Sequence, residues 1–253
     1  MIPAMPAWLT FVVLAAAGFV AAVVNTLAGG GSFLTLPLLI LLGLPAAEAN
    51  GTNRLGVVAQ NVGAVWGFHR EGALPWRYAW RVSLVPTAAS VLGAWLALHI
   101  GDREFRRLLA LLMLAITLWT ILEPLLSRRT ASGGPRQPRP VFAFWMFLGA
   151  GLYGGFVQAG VGFLVLAATT LAGLDLRRGN SVKVFLILLV TAVALGVFAW
   201  DGKVRWAEGL ALAAGSVAGS LCGVRLAMLK GDRWLRGFVT AAALVFAVKL
   251  WFD

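Results

Sequence analysis

Two polar constellations interrupt an otherwise apolar chain, and each occurs twice. The first is Asn25-Thr26-Leu27-Ala28-Gly29-Gly30-Gly31-Ser32, with the counterpart Phe156-Val157-Gln158-Ala159-Gly160-Val161-Gly162. Three consecutive glycines break a helix, leave backbone N–H groups open and start a new half-helix whose positive end can face an anion. Close helix packing would also use glycine, but it does not need the polarity of Asn25, Ser32 and Gln158. The second constellation is Glu48-Ala49-Asn50-Gly51-Thr52-Asn53-Arg54, matched by Arg178-Gly179-Asn180-Ser181-Val182-Lys183. At about 100° per residue, Asn50, Arg54 and Asn61 share one helix face, with Asn53 and Gln60 at its margin. Asn180, Lys183 and Thr191 repeat that stripe in the second half.

Amides, hydroxyls, open backbone and one or two cations are donors, and donors bind anions. The candidate ligands are Asn25, Gly29, Gly30, Gly31, Ser32, Asn50, Thr52, Asn53, Arg54 and Asn61, then Gln158, Gly160, Gly162, Asn180, Ser181, Lys183 and Thr191. Arg54 and Lys183 also admit a second reading as cations that snorkel to the interface and set topology. Every Asp and Glu lies in or beside a loop or near the end of an apolar run, so a cation site or proton relay has no mid-span acid to build on. One cysteine, Cys222, and two histidines, His69 and His99, give neither a disulfide nor a soft-metal cluster. No catalytic set is visible, so an enzyme is not expected, nor is a cofactor or a bound metal.

These residues sit in a chain of 253 residues that is 60% hydrophobic and 12% charged, with a mean hydropathy of +0.86. That composition excludes an ordinary water-soluble fold, which carries about 25% charged residues. The formal net charge of +11 is scattered through short loops rather than gathered in a basic arm, so it reads as membrane orientation and not as nucleic-acid binding. The N-terminal MIPAMPAWLT lacks the positive segment that a cleaved signal peptide would want. Five apolar runs (Trp8 to Ala28, Phe33 to Leu42, Leu55 to Phe68, Trp80 to Ile100, Phe105 to Leu126) precede five more (Val141 to Val157, Phe163 to Leu174, Val184 to Trp200, Trp206 to Leu229, Trp234 to Phe252). Between the sets, Ser127 to Pro140 reads as a flexible connecting loop.

Sliding the second half over the first by about 130 residues aligns them without a gap, the mark of an internal duplication. Gly30 meets Gly160, Asn50 meets Asn180, Trp76 meets Trp206, and Gly101-Asp102-Arg103 meets Gly231-Asp232-Arg233. Tryptophans cluster at run ends as interfacial anchors. If each run counts as one pass, Arg70, Arg77, Arg81, Arg128, Arg129, Arg136, Arg139, Arg177, Arg178, Lys183, Lys230, Arg233 and Arg236 fall on one side. Arg54, Arg103, Arg106, Arg107, Lys203 and Arg205 fall on the other, so the first side is cytoplasmic and the halves are inverted. If the short runs Phe33 to Leu42 and Phe163 to Leu174 do not cross, the two sets come out nearly equal, and the five-pass count is the preferred one. About ten helical residues rise only about 15 Å, half of a hydrocarbon core about 30 Å thick, so the two short runs read as half-helices. The expected fold is an all-α polytopic membrane protein of two homologous, inverted repeats, each with about four full spans plus a short broken or re-entrant helix. Residues 1–126 form the first repeat, 127–140 a cytoplasmic connecting loop and 141–253 the second repeat.

The segment LAGGGSFLTLPLLILLGLP, the following EANGTNR, and the second-half GVGFLVL and AGLDLRRGNSVK together resemble the TauE/SafE family of sulfite exporter-like permeases, also called a toluene-sulfonate uptake permease family. The likeness runs from Gly18 to Trp251. It implies a multi-pass permease of a bacterial inner membrane that carries small anions such as sulfite, sulfonates, sulfoacetate-like compounds or thiosulfate. The family's Gly-rich turn falls on Gly29, Gly30 and Gly31, and its polar segment on Asn50, Gly51, Thr52 and Asn53. The second repeat departs from this pattern, with Val161 for the third glycine and Val182 for Thr52. Alternating access around a midplane site is the expected mechanism, with a metal cation or a non-sulfur organic anion as the alternative cargo. Its partners are a small anionic substrate and the lipid bilayer, without nucleic acid, and a homo-oligomer is compatible with it.

Overall fold

The computed structural model describes residues 6–27, 29–112, 114–115 and 140–229, and the regular structure there is all helical. In order the helices are α1 (Ala7–Leu27), α2 (Ser32–Leu41), α3 (Ala46–Arg70), α4 (Trp76–Leu98), α5 (described over 102–112), α6 (Pro140–Phe156), α7 (Val161–Leu171), α8 (Leu176–Trp200) and α9 (Trp206–Leu229). Ala28, the connecting loop up to residue 139 with its arginines, the end of the fifth run, Lys230, Arg233, Arg236 and the run Trp234 to Phe252 lie outside the described residues.

The order long, short, long, long appears twice: 21, 10, 25 and 23 residues in α1 to α4, then 17, 11, 25 and 24 in α6 to α9. The turns match as well. Gly43, Gly72, Gly173 and Gly202 all have positive φ, and after each the next N–H bonds back to the last helical turn, as in Leu44 N–H to Leu39 O and Leu174 N–H to Thr169 O. This left-handed closure satisfies carbonyls that the helix end would otherwise strand, and it suits glycine because no Cβ opposes it.

α3 and α8 form the centre and run antiparallel. Gly51 near the start of α3 lies against Phe198 and Lys203 at the end of α8, while Phe68 at the other end of α3 shares a cluster with Val182 and Phe185. Each of two outer pairs joins the opening helix of one half to the fourth helix of the other. α1 runs parallel to α9, with Gly18 against Leu212, Gly215 against Ala15 and Gly219 against Phe19. α4 runs parallel to α6 in the same manner, with Gly151 against Pro86 and Gly155 against Ser90. At these points backbone meets backbone with no space for a Cβ, the usual device for packing helices where lipid removes the hydrophobic drive.

Among the described helices, Ala7–Leu27, Trp76–Leu98, Leu176–Trp200 and Trp206–Met228 are long and apolar enough to cross a bilayer. Their outer faces expose Trp8, Leu84, Leu92 and Leu210, and Trp76, Trp200 and Trp206 stand exposed at helix ends. α3 is as long as α8 but buries Asn50, Thr52, Asn53, Arg54, Gln60 and Asn61 along its length. A helix with that stripe is stable in a membrane only when other helices surround it.

Glu71 and Asp201 are exposed turn residues at opposite ends of the α3–α8 pair and occupy matching positions in the two halves. In a Cys222→Ser background, Glu71→Cys and Asp201→Cys are expected to react with an impermeant maleimide from opposite sides of the membrane. Labelling of both from one side would exclude the antiparallel arrangement as a transmembrane one.

Candidate functional site

The two glycine-rich breaks meet. Gly29 and Gly162 touch backbone to backbone, so a Cβ on either would overlap the other. Gly29 also has φ +91°, and on the other side Gly160 and the non-glycine Gln158 have φ of 76° and 70°. A buried glutamine held in the left-handed region is strained by about 1–3 kcal/mol and persists only where its surroundings over-determine it. Gln158 Oε1 accepts from Thr191 Oγ1 at 3.1 Å and from Arg54 Nη1 at 3.2 Å. Its sequence counterpart, Ala28, is not among the described residues.

At these breaks α1 and α6 end inside the protein, and their last carbonyls need donors. Each half supplies the donors for the other. Asn50 Nδ2 donates to Phe156 O at 2.7 Å, and its counterpart Asn180 Nδ2 donates to Thr26 O at 2.9 Å. Phe156 and Thr26 are themselves counterparts at the same shift. Arg54 donates to Gly154 O at 3.0 Å and also to Gly155 O, and its guanidinium lies 4.8 Å from the Phe198 ring centre. Lys183 Nζ donates to Asn25 O at 3.0 Å and Thr26 O at 3.2 Å. Arg54 and Lys183 are both fully buried, and no Asp or Glu is among the buried described residues. The negative ends of α6 and α1 each offset about half an elementary charge of the cation that they meet, and α2 and α7 start from the breaks that touch at Gly29 and Gly162.

Beside the break in the first half lies a cavity of about 10 Å³, close to the room one water needs, lined by Gly31, Ser32, Thr35, Asn53, Gln60 and Ser216 together with apolar side chains. Thr35 Oγ1 donates to Asn53 Oδ1, which turns the amide so that Nδ2 is the free end. Asn53 Nδ2 and Gln60 Nε2 are buried and have no partner within the protein.

The structure thus gathers Asn25, Gly29, Asn50, Arg54, Gln158, Gly160, Gly162, Asn180, Lys183 and Thr191 around the two helix ends, and Gly31, Ser32 and Asn53 around the cavity. Gly30 sits within the first break, where its carbonyl accepts from Phe33 N–H. The others are committed elsewhere. Thr52 Oγ1 accepts from Arg205 N–H, Ser181 Oγ donates to Ala73 O, and Asn61 Nδ2 donates to Val57 O one turn back on its own helix. Thr35 and Ser216 lie in apolar runs, where sequence alone marks them as ordinary small helix residues. Gln60 stands at the margin of the polar face and has an apolar counterpart, Val190. An amide in the middle of a buried helix, with an apolar counterpart in the other half, was the available signal.

The sulfite exporter TauE/SafE family profile matches residues 14–250. The chain is similar to a "Probable membrane transporter protein" of Haemophilus influenzae, 29% identical over 242 residues, covering 95% of this chain and 94% of the relative. It is equally similar to a "Probable membrane transporter protein ORF9" of Sinorhizobium sp, 29% identical over 238 residues, covering 94% and 90%. The "Probable membrane transporter protein YfcA" of Escherichia coli K12 is 29% identical over 247 residues, covering 96% and 88%. No solved structure matches the chain.

If Arg54 holds the end of α6, removing it strands the buried carbonyls of Gly154 and Gly155 at about 1–3 kcal/mol each, whereas Thr26 O and Asn25 O keep donors from Asn180 and Gly29 without Lys183. Arg54→Met is expected to lower the stability of the purified protein by about 2–4 kcal/mol with no anion present, and Lys183→Met by less, read by thermal or denaturant unfolding. Unchanged stability in both would free the cations for a role in ligand binding alone.

Proposed function

Because this chain belongs to the sulfite exporter TauE/SafE family, we propose that it is a permease for small anions of the sulfur oxyanion and sulfonate class. It is an integral membrane protein, and its relatives are named as membrane transporters rather than enzymes. The observation that carries the anion reading is the donor-rich interior around the glycine breaks. Buried Arg54, the amides of Asn50, Asn53 and Gln60 and the positive ends of α2 and α7 lie along it, with no buried carboxylate among the described residues. A mobile anion lowers the energy of such a centre, whereas a metal cation would raise it and would find no cluster of three or more His, Cys, Asp or Glu among the described residues.

The repeats, 1–126 and 141–253 joined by a cytoplasmic loop at 127–140, are on this reading inverted across the membrane. The antiparallel course of α3 and α8 supports it, as does the exchange of donors between matching positions. α2 turns back beside α1 at Gly31, which abuts Ala21, and meets α3 antiparallel through the Thr35–Asn53 bond. The α1–α2 hairpin then enters and leaves on one side, and so does α6–α7. Each short helix thereby counts as a return pass in the parity of crossings without spanning the core. Arg70, Arg77, Arg81, Arg177 and Arg178 fall at one end, which the positive-inside rule makes cytoplasmic. Alternating access follows if the outer pairs α1–α9 and α4–α6 rock against the α3–α8 centre.

A ligand that binds only the folded protein stabilises it by about 2.7 kcal/mol at a hundred times its dissociation constant. Sulfite, thiosulfate or methanesulfonate is expected to raise the unfolding temperature of the purified protein, and magnesium, manganese or zinc chloride at matched ionic strength is not. Stabilisation by a divalent metal with none by any anion would reverse the assignment.

A further inference from the structure

The two halves agree in their helix-end donors and disagree at the cavity. Moving its lining by the same shift of about 130 residues replaces Gly31 by Val161, Thr35 by Val165, Val57 by Ile187 and Gln60 by Val190. Those four replacements belong to one buried apolar cluster, so the matching place in the second half offers none of the cavity's amide or hydroxyl groups at these positions. Asn53 becomes Lys183, which is held on the end of α1. In the first half the equivalent duty falls to the next residue, Arg54, and this leaves Asn53 facing the cavity.

We propose that the chain holds a single anion site, in the first half only, where Asn53 Nδ2, Gln60 Nε2 and the N-terminus of α2 present neutral donors to an oxyanion head that offers acceptors alone. This rests on the permease reading and narrows it to one site. The independent sign of a ligand is the pair of unpartnered amide donors, 1% and 4% exposed residues facing the N-terminal end of a ten-residue helix. Buried donors without partners are a standing cost that an apolar side chain of equal volume would remove. Their presence is accounted for if a ligand completes them. A deprotonated sulfite or sulfonate head accepts at every oxygen. Gln60 lies near the middle of α3, at the level where α3 and α8 pass, so the site sits at the depth where access can alternate. Its small volume means that α9, which supplies Leu212 and Ser216, must move off α3 before a ligand enters.

The test titrates the full-length purified protein with sulfite, thiosulfate and methanesulfonate by calorimetry and follows thermal unfolding without ligand. One anion per chain is expected, with affinity lowered about ten- to a hundredfold in Gln60→Met and in the isosteric Gln60→Glu. Val190→Gln should stay within about twofold of the parent. Without ligand, Gln60→Met should unfold at or above the parent temperature, because it removes an unsatisfied donor; a packing role would lower it. Should Gln60→Met fail to accumulate, Gln60→Glu decides the affinity question alone. Full affinity in the Gln60 variants, two anions per chain, or an equal loss in Val190→Gln overturns the single site while leaving the permease reading intact. A parent protein that binds none of the three anions overturns both.

Discussion

A helix that stops inside a membrane leaves carbonyl groups that water cannot reach, and the rest of this structure is arranged around two such ends. In hydrocarbon each unsatisfied group costs several kcal/mol, so the donors must come from other helices. Here they come across the internal duplication: Asn50 and Arg54 serve α6, and Asn180 and Lys183 serve α1. Each half closes its own break only in part, through Gly29 N–H on Asn25 O and Tyr153 Oη on Ala159 O, and the other half supplies the rest. The exchange couples folding of the two halves, and it explains why α3 and α8 carry polar residues in the interior while apolar helices surround them.

The same exchange decides the electrostatics. A carboxylate would have balanced Arg54 locally, but the carbonyls at the end of α6 balance it only in part. The remaining positive charge is fixed, since Arg54 is held by geometry rather than exposed to solvent. On the permease reading proposed above, a fixed charge of this kind would select the sign of the cargo and leave its shape to the neutral donors around it. That division would separate attraction from recognition and let a ligand leave without breaking a direct ion pair.

Packing outlines which parts move together. The glycine contacts between α1 and α9, and between α4 and α6, are backbone against backbone with no room for a Cβ. The contacts of α9 with α3 are softer: Gly56 and Gly63 face the side chains of Leu212, Ser216 and Ser220. The cavity lies on that softer boundary. A shift of the α1–α9 pair relative to α3 would therefore change its volume before disturbing either helix end on the α6 side.

Composition and spacing by themselves determined the solvent of this protein, its helical class, its duplication and the positions of its breaks, because these depend on local preferences and on an alignment read along one chain. Gly29 to Ser32, Asn50 and Asn180 were legible as special for that reason. What the polar residues do was decided by tertiary structure. Arg54 and Lys183 are not aligned, yet both reach one matching carbonyl, Gly155 O and Asn25 O, a fact that depends on side-chain reach and on how the helices cross. Gln60 and Ser216 are separated by the whole second half up to α9 and meet only because α9 packs beside α3. An alignment reports what two halves share. The donors that distinguish the first half lie where they differ, and only the packed helices bring them to one cavity.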